Sequence, residues 1–83
     1  MTRPAAMLVM ELTNRGLTRQ FSVRHGDVGW EVREEIDERP VRISQYLDWH
    51  RVERAIARID RTAEDLQQHG WVLNRRSRLP VLS

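Results

Sequence analysis

Between Asp48 and Leu66 the chain has neither proline nor glycine, and its apolar residues fall at Trp49, Val52, Ile56, Ile59, Ala63 and Leu66, in steps of three and four. A stripe with that spacing is one face of an α-helix. Asp48 is a fitting N-cap, Gly70 a fitting residue just past the last turn, and His69 suits the negative end of the helix dipole. The enclosed segment is about 21 residues and therefore roughly 30 Å long. The stripe follows a strict heptad and is narrower than the usual core-facing band. A helix this amphipathic has to cover something: its own sheet, a second copy, or another partner. The spacing predicts packing mainly on its own sheet, with an extension into a dimer contact. Arg51, Arg54, Arg58, Arg61, Glu53, Glu64 and Asp65 flank the stripe. They read either as pairs across such a contact or as a solvated face.

The residues before the helix read as strands. The run MLVMELT (7–13), the connection NRG (14–16) and LTRQFSVR (17–24) have the form of a hairpin, with Gly16 in the left-handed position. A short helix over residues 4–13, ended by Gly16, is the competing reading. Alternation in FSVR, in WEVREEI (30–36) and in VRIS (41–44) predicts further strands, separated by turns at HGDVG (25–29) and DERP (37–40). It places Phe21, Val23, Trp30, Val32, Val41 and Ile43 inward, and Arg24, Arg33 and Arg42 outward. The expected fold is α+β: a four-stranded antiparallel meander followed by one long C-terminal helix packed on the sheet. Residues 1–6 read as an N-terminal arm, 7–73 as the domain and 74–83, containing Arg75, Arg76 and Arg78, as a basic tail.

At 83 residues without cysteine, a chain can build only a small core and cannot staple it with disulfides or thiolate metal sites. Self-association is the remaining common source of buried area, which predicts a homodimer. The longest apolar run, AAMLVM (5–10), is far too short for a membrane span or a secretory signal, so a cytoplasmic protein without a membrane partner is expected. Its formal net charge is +2 and every Lys/Arg position is arginine; without the three tail arginines the remainder is −1. That balance is not the footprint of a strongly basic nucleic-acid binder.

Catalytic and metal motifs are not visible. His25, His50 and His69 lie far apart and lack partner ligands at metal-binding spacing. The chain carries no nucleophile elbow and no glycine-rich phosphate loop, and HGDVG joins strand to strand. Glu34 and Glu35 point to opposite sides of a strand and do not form an acid/base pair. No enzyme activity, catalytic residue, metal or cofactor is therefore expected. The outward arginines Arg24, Arg33 and Arg42, with Trp30 or Trp49 stacking bases, are the candidate nucleic-acid contacts. The opposing reading is that Glu31 and Glu35 neutralise the same face.

The order of four strands and one long helix resembles the positive-cofactor-four coactivators and the Whirly proteins, which bind single-stranded DNA. Trp49, Val52, Ile56, Ile59, Asp60 and Leu66 fall where that family has Trp, Leu, Ile, Ile, Asp and Leu. FSVR (21–24) is similar to the strand before the family's DNA-contacting turn. The resemblance spans about residues 19 to 66. It implies a helix that dimerises and a sheet that faces nucleic acid, with Arg24 and Trp49 as contacts. The turn here, HGDVG, has only His25 where the family is rich in lysine, and Glu31, Glu34 and Glu35 follow it. Two functions are therefore expected to compete. One is a small homodimeric interaction module that meets a protein partner through its helix or an open strand edge. The other is a single-stranded nucleic-acid-binding protein or transcription regulator.

Overall fold

A computed structural model describes residues 6–78. Its elements run β1 (Ala6–Asn14), β2 (Leu17–His25), β3 (Trp30–Ile36), β4 (Arg39–Tyr46), α1 (Trp49–Gln68) and β5 (Val72–Arg78). The strands form one antiparallel sheet in the order β4-β3-β2-β1-β5. The meander and the helix appear as expected, and residues 7–13 lie in a strand, not a helix. A fifth strand follows the helix and pairs with β1, taking in residues 74–78, which read from sequence as tail. Residues 1–5 and 79–83, the rest of the expected arm and tail, lie outside the described residues.

The turns follow from local chemistry. Arg15 and Gly16 both have positive φ (48° and 83°), as do Asp37 and Glu38 (50° and 68°). Two consecutive left-handed residues are the mark of the tight hairpin whose twist matches that of the strands. Asn14, expected in the first turn, instead pairs with Leu17. Asp37 fastens the second turn to β2. Its backbone N–H donates to the Thr18 carbonyl at 2.8 Å, and its carboxylate accepts from the Thr18 N–H at 2.9 Å.

The β3–β4 register corrects one expectation. Glu34 pairs with Arg42 and Glu35 with Pro40, so Val41 is the extra residue of a bulge. Above the bulge Trp30 pairs with Tyr46, Val32 with Ser44 and Arg33 with Ile43. Ile43 therefore shares the face of Arg33, and Arg42 shares the helix-side face. Val41 and Ile43, expected inside, are 57% and 49% exposed. With a period of two, one residue of offset moves a whole strand's side chains to the other face.

β4 and β5 occupy opposite edges and run in the same direction, so the connection between them has to traverse the sheet. Four strand spacings amount to about 19 Å, a distance that the 20-residue helix covers while crossing diagonally. Asp48 caps its start by accepting from the His50 N–H at 3.0 Å. At its end the Gly70 N–H reaches the Gln67 carbonyl and the Trp71 N–H the Leu66 carbonyl, with Gly70 at φ 94°. This is a Schellman stop, and it turns the chain straight into β5.

The stripe settles on the sheet of its own chain. Val52, Ala55, Ile56, Ile59 and Ala63 are buried together with Leu8, Met10, Leu12, Phe21, Val23 and Val32, and Trp49 and Leu66 pack at the margins. Val52 and Ile59 are at most 1% exposed. None of the exposed large apolar residues described lies on α1.

Two glycines serve different ends. A Cβ on Gly29 (φ 77°) would lie 2.2 Å from the Tyr46 carbonyl oxygen, whereas Gly16 (φ 83°) has nothing within 4 Å. Gly16→Ala is expected to cost about 1 kcal/mol from backbone strain alone. Gly29→Ala is expected to cost at least about twice that, because the β2–β3 loop must also move off the end of β4. Urea denaturation of both variants checks the order.

Candidate interaction surfaces

The sheet face away from the helix carries Arg24, Arg33 and Arg75 beside Glu11, Glu31 and Glu35. Register pairs Arg24 with Glu31 and Glu11 with Arg75. Arg33 lies between two carboxylates, 3.0 Å from Glu31 and 3.7 Å from Glu35. Three cations thus meet three anions, and the face has no surplus charge for phosphate. A shallow cavity of about 650 Å³ lies at the β2–β3 loop end, lined in part by Arg24, Asp27, Trp30, Glu31, Arg33 and Gln45. Its charges balance in the same way. Arg24 Nε and Trp30 Nε1 are buried there without a hydrogen-bond partner among the described residues.

The structure brings three of the candidate nucleic-acid residues, Arg24, Trp30 and Arg33, to the lining of one cavity and leaves Arg42 and Trp49 away from it. Arg24 and Arg33 lie on the open face, while Arg42 lies on the helix side across from Glu34. Trp30 and Trp49 also sit on the helix side. Their ring centroids are 5.3 Å apart, and His25 meets the Trp30 ring edge-on at 5.5 Å. Trp49 Nε1 donates to Glu53 at 2.6 Å. Both indoles are partly buried against the core and are held by one another, so neither is a free stacking platform. Among the described residues no cluster of three or more His, Cys, Asp or Glu converges as metal ligands.

Two other surfaces emerge that strand alternation alone does not reveal. The first is the β4 edge. Among the described residues the strand has no neighbour on its outer side, and it is exposed over most of its length, with only Ser44 and Tyr46 half-buried. Val41, Ile43 and, just beyond the strand, Leu47 are exposed apolar residues along it.

The second surface is set by the charges on α1. Arg51, Arg54, Arg58 and Arg61 recur in steps of three and four and so form one band, whereas Glu53, Asp60 and Glu64 share a flank. Asp60 accepts from Arg76 of β5 at 3.2 Å, so the acidic flank turns toward β5. On the flank opposite Asp60 lie Arg51 and Arg58, on the side of β3 and β4, whereas Arg54 and Arg61 fall nearly opposite the buried stripe and point to solvent. The arginines are visible in the sequence, but the direction they face is not.

No described helix is long and apolar enough to cross a membrane. Comparison with known protein families, characterised proteins and solved structures finds no match for this chain.

The ion pairs of Arg33 are partly solvated, which limits their worth. Arg33→Ala is expected to destabilise the fold by no more than about 1 kcal/mol. The difference should shrink in molar salt as the pairs are screened, and chemical denaturation at two ionic strengths measures it.

Proposed function

We propose that the protein is a non-catalytic homodimeric interaction module whose subunits join through their β4 edges. The exposed β4 edge carries this reading. An edge strand presents unpaired backbone N–H and C=O groups, a template for another strand. β4 adds Val41, Ile43 and Leu47 to that template. An antiparallel strand can pair with its own copy about a two-fold axis.

Charge suggests the register. A two-fold axis through Ile43 sets Arg42 against Ser44 of the second copy, Val41 against Gln45 and Arg39 against Leu47, so no arginine directly opposes an arginine. The other edge, β5, carries Arg75, Arg76 and Arg78 along its length. Such charges discourage edge pairing; β4 also carries Arg39, Pro40 and Arg42, but it adds Val41, Ile43 and Leu47 as exposed apolar residues where β5 has Val72. The helix is committed to its own core, so this dimer differs from the helix-borne one expected from the heptad stripe. One strand edge buries less than the roughly 800 Å² per partner of a standard interface, which suits a reversible dimer of micromolar affinity.

Because the chain has no cysteine, Ile43→Cys introduces a single thiol. Directly opposed strand residues have Cα atoms about 4.5–5.5 Å apart, within disulfide range. Mild oxidation is expected to trap the Ile43→Cys protein as a covalent dimer, while Val72→Cys on the β5 edge stays mostly monomeric. In sedimentation, the unmodified chain is expected to show a monomer–dimer equilibrium that Ile43→Arg abolishes. A chain that sediments as a monomer up to millimolar concentration rejects the proposal.

A further inference from the structure

The arginine band of α1 and the helix-side face of β4 border one surface. Arg51, Arg54, Arg58 and Arg61 contribute from the helix, and Arg42 and Arg39 from the strand. Arg42 is cross-strand to Glu34 and Arg39 to Ile36. Among the described residues none of these six guanidinium groups has a carboxylate within 4.0 Å. All but Arg58 belong to exposed residues, and one Arg58 terminal nitrogen, Nη2, is buried without a hydrogen-bond partner. Glu34, Glu38, Asp48, Glu64 and Asp65 are the nearby acids in the sequence and register, so six cations meet five anions, none of which pairs with them. The open sheet face, in contrast, balances three against three.

We propose that this arginine ledge between α1 and β4 binds the phosphate backbone of duplex nucleic acid, without base readout. Charge complementarity is the first reason. Guanidinium groups form bidentate hydrogen bonds with phosphate oxygens, and ledge arginines without carboxylate partners are free to do so. Scale is the second. Arg51 to Arg61 spans about 15 Å along the helix axis. A duplex carries one negative charge per about 1.7 Å, so roughly nine phosphates lie within that length.

The choice of duplex over single strand rests on the state of the aromatic residues beside the ledge: Tyr46, Trp30 and Trp49 all pack against the core. Single-strand binders draw much of their affinity from bases stacked on aromatic rings. Here Trp30 and Trp49 are packed against one another and the core. A bilayer is a poorer fit for a related reason. Interfacial helices insert their apolar face, and the apolar face of α1 is already buried. The ledge does not depend on β4 pairing, since four of its six arginines lie on the helix.

Anisotropy of a labelled mixed-sequence duplex, titrated with the full chain over a range of salt, tests the inference. The logarithm of the affinity should fall against the logarithm of salt concentration with a slope between about −3 and −5, near −0.9 per phosphate neutralised. Arg54→Gln/Arg61→Gln should bind at least about tenfold more weakly, and the matching double lysine variant within about threefold of the unmodified chain. Arg75→Gln/Arg78→Gln removes the same charge at the far edge and should also stay within about threefold. All four positions are exposed, and circular dichroism verifies that each variant is folded. No binding at low salt overturns the inference. So does equal loss in the two glutamine pairs, tighter binding of the single strand, or competition by polyglutamate as strong as that by duplex. Cross-linking through Ile43→Cys reads the dimer separately, so either proposal can fail without the other.

Discussion

Everything in this fold depends on the contact between one face of α1 and the apolar side of β1, β2 and β3. Val52, Ile56 and Ile59 close over Leu8, Met10, Phe21, Val23 and Val32, and burial of each such side chain contributes about 1.5–3 kcal/mol relative to exposure. The chain has no disulfide to share that task. The contact also organises the rest. It holds the helix diagonally across the sheet, delivers the chain to the free edge of β1, and makes β5 possible. Without that docking, a strand such as NRRSR would have too little apolar surface to hold itself in a sheet.

The same contact determines which polar groups remain available. Rotation of the helix about its own axis is set by the stripe, and the stripe therefore sends Asp60 toward Arg76, Arg51 and Arg58 to the opposite flank, and Arg54 and Arg61 out to solvent. The acidic flank is drawn into the sheet's own charge balance, while the basic flank is left without partners. The net charge of the chain is small, yet its distribution over the folded surface is uneven. Total charge is a property of composition. A binding surface requires that the charges of one sign be gathered on one side, and here helix docking does the gathering.

β4 shows how a weak alternation can mislead. Val41 and Ile43 look inward by pattern, but Tyr46 and Trp30 form the larger pair at the other end of the β3–β4 ladder. That pair and the bulge at Val41 put Ile43 outside. The consequence reaches beyond packing. It moves Arg42 to the helix side, where it joins the arginines of α1, and it leaves an edge strand with apolar side chains exposed.

The sequence by itself determined the helix, its caps, its stripe and the four strands of the meander, because these follow from periodicity and from residues such as Asp48, Gly16 and Gly70 that act over one turn of chain. It also carried the possibility that Glu31 and Glu35 neutralise Arg33, since residues two apart on a strand share a face. Only the tertiary structure decided the face of β4, the existence of β5 and the direction of the arginine flank. Each of these depends on a partner distant in sequence: Trp30 for Tyr46, β1 for β5, and Arg76 for Asp60. A polar edge strand has no hydrophobic pattern of its own to announce it, and a helix's charged flank has no direction until its apolar face has found a sheet.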